Sequence, residues 1–297
     1  MNRKPALDLV MDYVKPKDVA LAMVAAGEAK GALGARDLLI RGFLSGAILG
    51  FATALAQAAT VQTGLPIVGA LIFPVGFVMI VLLGLELVTG SFALLPLAFF
   101  ESKLSPGRML TNFGWVFLGN LLGGLVFAAL LAISLTMAGA TADTTGVAAK
   151  LVAVAQAKTL GYEKFGAAGL ATVFARAILC NWMVCLGVVM AMVSTSTVGK
   201  IVAAWLPIAV FFALGYEHSV VNMFLIPAGM MLGAKVSLVQ WWLWNEIPVT
   251  IGNFFGGLIF TGLALYATYA KNAVASGSLG DSSAPSGATA AAISTVA

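Results

Sequence analysis

Charge is scarce in this chain: Asp, Glu, Lys and Arg make up 9% of its 297 residues, against 61% hydrophobic. That balance excludes an ordinary soluble enzyme and places the chain among helical membrane proteins, embedded in a lipid bilayer. Histidine occurs once, as His218, and cysteine twice. One imidazole, with no His-Glu-x-x-His and no clustered aspartate, excludes an intramembrane metalloenzyme, so no metal and no cofactor are expected. Cys180 and Cys185 stand five positions apart in one apolar stretch, point to different faces of a helix and read as packing residues. Ser219 adjoins His218 but has no glycine-flanked elbow, which argues against a hydrolase. The expectation is a protein that is not an enzyme. There is no basic patch interleaved with aromatics, hence no nucleic-acid partner. The opening Met1-Asn2-Arg3-Lys4-Pro5 leads into no apolar h-region, so the N-terminus is expected to stay in the cytoplasm.

What the chain does have is apolar length. Stretches near the roughly twenty residues needed to cross a bilayer run over 38–59, 66–100, 109–137, 167–193, 201–231 and 248–269. The fold class is therefore an all-α membrane protein with six transmembrane helices. The second and fifth are too long for one crossing and are interrupted at 84–91 and 215–219, so both are expected to be broken helices. Irregular backbone at membrane depth is tolerated where it lines a cavity or is buried in protein, so two such breaks point to a pathway. Lys and Arg number eleven on the side of both termini and four, Lys150, Lys158, Lys164 and Lys235, on the other. The positive-inside rule then puts both termini in the cytoplasm, in a cell inner membrane. Residues 1–35 form a cytoplasmic segment, with apolar positions at helical spacing over 18–31 suggesting either a short amphipathic helix or a solvated leader. Residues 36–273 form the membrane domain, and 274–297, rich in Ser, Gly, Ala and Pro, a disordered tail. The segment 139–166 reads as the longest external loop.

The two halves of the membrane domain resemble one another. Gly84-Leu85-Glu86 followed by Pro96 recurs 131 positions later as Gly215-Tyr216-Glu217 followed by Pro227. The block from Gly119-Asn120 to Phe127 recurs 133 positions later from Gly252-Asn253 to Phe260, and Arg41 is echoed by Arg176. Repeats of about 36–138 and 167–273 would each hold three crossings. An odd number inverts the second repeat in the membrane, bringing the two breaks together near the midplane.

To that meeting point the sequence brings Glu86, Thr89 and Ser91 from one break and Glu217, His218 and Ser219 from the other, with Asn181 and Trp182 at similar depth. Ionisable groups there are costly and usually functional. His218, which titrates near neutral pH when free, is a candidate to hand a proton to a small anion. The alternatives are that the glutamates hold the breaks in shape and that the whole is a neutral-solute channel.

The stretches 85–90, 180–186, 215–224 and 245–253 closely resemble the signature stretches of the formate/nitrite transporter family. That resemblance implies a homopentamer of aquaporin-like protomers, each with its own pore, passing small monovalent anions. Formate is the first expectation, nitrite or hydrosulfide the alternatives, with protons as a coupled partner. It further implies that His218 is the central pore histidine, Thr89 its partner, Asn181 its support, and that Glu217 and Glu86 are the acidic residues of the breaks. Apolar constrictions would fall on Phe73, Phe77, Leu87, Val184 and Phe211. The family's vestibule lysine would fall at Phe165, a departure; Lys158 nearby is the replacement.

Overall fold

The computed structural model describes residues 12–141 and 145–271, and the described residues are helical apart from short turns. The tail at 274–297 and Arg3 and Lys4 lie outside them. Among the described residues, four helices are long and apolar enough to cross a membrane: α2 (Ala35–Thr63), α6 (Pro106–Leu135), α9 (Ala167–Ala191) and α12 (Leu238–Ala270). Between them lie shorter apolar helices, α3 (Pro66–Ile72), α4 (Pro74–Leu82), α5 (Val88–Phe100), α10 (Thr197–Ala213) and α11 (Ser219–Met231). With the apolar faces of the long helices, these describe a multi-pass membrane protein.

The first break is shorter than the sequence suggests, and the second keeps its length one residue earlier. Residues 83–87 and 214–218 lie between helices, whereas Thr89 and Ser91 already belong to the first turn of α5. Each gap has as its second residue a glycine in the left-handed region, Gly84 at φ 60° and Gly215 at φ 65°. Side chains other than Gly, Asn or Asp seldom adopt that conformation, which is why these two positions are matched. A further joint separates α3 from α4. Pro74 has no N–H to offer the preceding turn, so the apolar run from residue 66 bends where its composition alone reads as continuous.

α5 and α11 are the centre of the molecule. Every residue from Val88 to Ala98 and from Ser219 to Gly229 is buried, and a helix apolar on all sides is one enclosed on all sides. Around them, α2 packs closely on α6, and α9 on α12. A Cβ added to Gly123 would collide with the Phe43 carbonyl, and one added to Gly256 with that of Ile178, the same approach at matched positions of the two halves. The outer faces expose Phe51, Leu55 and Leu130, as lipid-facing or oligomeric surfaces do.

Two peripheral helices complete the picture. α1 (Pro16–Ala32) is not a solvated leader: Val19, Met23, Val24 and Lys30 are buried as it packs on α5 and its surroundings. The stretch read as an external loop contains α7 (Gly146–Lys158) and the single turn α8 (Leu160–Glu163). Its small residues conceal an apolar stripe, Ala148, Leu151 and Ala155, which seats α7 on α11. Ahead of α1, Asp12 accepts hydrogen bonds from Ser194 Oγ (2.7 Å), Thr195 N (2.7 Å) and Ser196 N (2.6 Å), fastening the chain to the α9–α10 turn.

Candidate functional site

Each break is held by an asparagine from a long helix. Asn120 accepts from Val88 N (3.0 Å) through Oδ1, and its Nδ2 donates to the carbonyls of Gly42 (2.8 Å) and Glu86 (2.9 Å). Asn253 repeats the pattern, accepting from Ser219 N (2.9 Å) and donating to the carbonyls of Ala177 (2.8 Å) and Glu217 (2.9 Å). These bonds satisfy backbone groups that a broken helix leaves unpaired away from water. Both asparagines stand in the repeated blocks, yet their task was not legible. The available signal was an amide at the same place in two glycine-rich apolar helices.

The first turns of α5 and α11 meet at Thr89 and His218, whose Oγ1 and Nε2 are 3.0 Å apart. The other ring nitrogen, Nδ1, accepts from Val221 N at 3.2 Å, so His218 caps α11 with its own side chain. An acceptor Nδ1 fixes the tautomer of the neutral ring with its proton on Nε2, donating to Thr89. The Thr89 hydroxyl then keeps its own proton free for another acceptor. Asn181 reaches this pair through the backbone rather than the imidazole: its Nδ2 donates to the carbonyls of Thr89 (3.0 Å) and Asn253 (2.7 Å). Cys185 Sγ also donates to the Thr89 carbonyl, at 3.3 Å.

The glutamates sit apart from the imidazole and are neutralised. Lys30 of α1 donates to both oxygens of Glu86 (2.9 and 3.0 Å), and Asn112 Nδ2 holds the Lys30 carbonyl (2.9 Å). Lys158 of α7 donates to Glu217 (2.8 Å), and Asn245 Nδ2 holds the Lys158 carbonyl (2.9 Å). Glu217 is further engaged by Tyr162 Oη (2.7 Å), Asn222 Nδ2 (2.9 Å) and Asn245 Nδ2 (3.2 Å), while Arg176 Nη1 donates to Tyr162 Oη (3.0 Å). Buried carboxylates need such partners, because an unpaired charge in a medium of low dielectric is very costly. Lys30 was not among the sequence candidates: 56 residues separate it from Glu86, and only the docking of α1 reveals the pair.

Apolar side chains flank the centre. Phe73 meets Phe211 edge to face (centroids 5.7 Å apart) and stacks on Phe212 (4.0 Å), and Phe211 in turn lies over the His218 ring (5.7 Å). Phe77 and Leu87 line a small, partly open pocket together with Lys30, Gly84 and Gly90. Val184 is buried in the same core. Phe165, at the position expected for a vestibule lysine, is 62% exposed under Lys164. The arrangement is a hydroxyl and an imidazole, fixed by two helix starts, between aromatic and aliphatic walls. Such a site offers directed hydrogen bonds to a small anion and excludes bulk water.

Residues 17–267 match the model of the family described as Formate/nitrite transporter. The chain is 38% identical over 276 residues to a probable formate transporter of Methanothermobacter thermautotrophicus, covering 87% of this chain and 98% of that one. Among solved structures, it resembles an FNT family ion channel (TM-score 0.72, 28% identity, 84% of this chain and 98% of the other). It also resembles a pentameric formate channel with formate bound (TM-score 0.65, 26% identity, 80% and 98%).

Proposed function

The chain belongs to the formate/nitrite transporter family, and from that premise we propose that it is a channel moving small monovalent anions, formate foremost, across the inner membrane with proton coupling. The observation that carries this reading is the 3.0 Å pairing of Thr89 and His218 beneath the Phe73–Phe211 contact. A bare carboxylate forced through that apolar slit loses its hydration, at a cost of several kcal/mol. Two features offset it: the free Thr89 hydroxyl proton, which an anion oxygen can accept, and neutralisation of the anion by a proton at or beside the pair. If His218 is itself the donor, it must first take a second proton on Nδ1, which breaks its bond to Val221 N. Proton handling is then tied to the cap of α11.

The architecture that suits this task is six crossings in two inverted repeats, 36–138 and 167–273, giving an aquaporin-like protomer with both termini cytoplasmic. Its support is the matched offsets, the paired Asn120 and Asn253 clamps, and the paired Lys30–Glu86 and Lys158–Glu217 contacts. On this reading Lys158 and Lys30 mark the two approaches to the centre, Glu217 and Glu86 anchor them, and Phe73, Phe77, Leu87, Val184 and Phe211 form the constrictions. Homopentameric assembly follows the neighbour described as pentameric.

The test is uptake of labelled formate and nitrite into proteoliposomes across a pH series, with a pH-sensitive dye inside. Formate entry accompanied by protons supports the proposal. Preferential uptake of nitrite or hydrosulfide would reassign the cargo, and passage of neutral solutes alone would overturn the anion reading.

A further inference from the structure

Three glutamates are buried, Glu86, Glu217 and Glu246, with relative exposures of 0%, 1% and 0%. The first two each face an ammonium. Glu246 faces none: among the described residues no lysine, arginine or histidine comes within ion-pair distance of it. Its Oε1 accepts from Ser219 Oγ (2.9 Å) and from Thr250 Oγ1 (3.4 Å), and its Oε2 from Trp241 Nε1 (3.3 Å). All three donors are neutral.

The charged and titratable groups around it are already engaged. From the break ahead of α11 come Glu217 and His218, from α7 and α8 Lys158, Tyr162 and Glu163, and from α9 Arg176. Lys158 and Tyr162 bond Glu217, Arg176 bonds Tyr162, Gln240 bonds Glu163, and His218 bonds Thr89. The adjoining Asn245 leads at 3.2 Å to Glu217, so the neighbouring negative group is another carboxylate. Glu246 is closed off within one protomer, so neither lipid nor a second copy can touch it to supply the missing cation. Neutral hydrogen bonds do not replace a counter-ion for a carboxylate removed from water. The residue also ends the π-helical turn Trp242–Glu246, a distortion often found at functional positions.

We propose that Glu246 is a proton-binding site, distinct from the Thr89–His218 pair, whose side chain rests in the membrane as the neutral acid. In that state the acid O–H on Oε1 donates to Ser219 Oγ, the Ser219 hydroxyl proton turns to Thr250 Oγ1 3.1 Å away, and Oε2 still accepts from Trp241. Loss of the proton reverses the Ser219 bond, so that Ser219 donates to the carboxylate. Ser219 follows His218 directly and opens α11, so the charge of Glu246 is delivered to the turn that carries the pore imidazole.

Infrared spectroscopy of the full-length protein in lipid tests this without reference to transport, and so without reference to the proposed cargo. The wild type at neutral pH should show the carbonyl stretch of a protonated carboxylic acid, above the amide band and shifted in D2O. Glu246→Gln should lose it, while Glu86→Gln and Glu217→Gln keep it. Thermal unfolding adds a second readout: as pH rises, Glu246→Gln should become increasingly more stable than wild type, because Gln cannot ionise. An absent acid band in the wild type, which needs no variant, overturns the proposal, as does a band that survives in a folded Glu246→Gln protein.

Discussion

His218 is held at both ring nitrogens, and this makes its replacement informative. Asn keeps a polar group of similar reach but cannot titrate; Phe removes both properties. If the imidazole relays a proton, His218→Asn should pass the anion with an altered pH profile and no coupled proton movement, and His218→Phe should be largely closed, as read by anion flux beside an internal pH dye. Retention of the wild-type profile and stoichiometry by His218→Asn would make the ring a helix cap only. The Lys158–Glu217 pair gives a stability contrast. Lys158→Met strands a carboxylate that is 1% exposed and should cost about 3–5 kcal/mol. Glu217→Gln should cost less, since the Lys158 side chain retains 16% exposure and can turn toward water. Cys180 and Cys185 are buried and free, so a thiol-reactive fluorophore in a thermal ramp reads both variants. At this scale the sequence singles out polar residues that interrupt apolar surroundings, His218, Thr89, Glu86 and Glu217; the structure pairs the first two with each other and each glutamate with a lysine. Asn120, Asn253, Lys30 and Glu246 were not legible, because what they do depends on partners far away in the chain.

Among the elements, the breaks were legible in outline because glycine and a carboxylate interrupt each apolar run, but their ends were not. Where α5 begins is decided by Asn120 reaching Val88 N from another helix, which no local pattern records. α7 was hidden for a similar reason, its stripe of small residues making sense only against α11. The segment preceding α1 gives a pH prediction. The Ser194 hydroxyl, then the Ser196 and Thr195 amides, hold the Asp12 carboxyl below its usual value. A lowered value means the charged form is favoured in the docked state, so docking is at full strength above about pH 4, the ordinary aspartate range. It weakens only as pH falls below that range. Amide protection at Val14, Thr195 and Ser196, taken relative to the intrinsic rate at each pH, should therefore be high at neutral pH, fall in acid, and be lost at neutral pH in Asp12→Asn. Slow exchange in that variant would show that the backbone contact of Val14 with the Val193 carbonyl, at 2.8 Å, suffices alone.

For the whole molecule, hydropathy, loop charge and internal repetition were enough to expect six crossings and a pathway, since all three are properties of the chain rather than of its packing. Sidedness is the part that needs measurement. Ala140→Cys, after α6, should react with an impermeant thiol reagent added outside intact cells, and Gly107→Cys, at the start of α6, should not. Reaction of both from one side would contradict the inverted arrangement. The native thiols are buried, which keeps the background low.

The span of each contact along the chain also bears on how the molecule is made. Lys30 and Glu86 are 56 residues apart and Lys158 and Glu217 are 59, so each fastening closes within its own half of the chain. Thr89 and His218 are 129 apart, and Asn181 reaches 92 residues back to Thr89. During synthesis, then, the first half can set its break before the second has left the ribosome, whereas the polar centre exists only once both halves have docked. Two half-chains divided between α6 and α7 and produced together should thus recover conduction, and neither half alone should conduct.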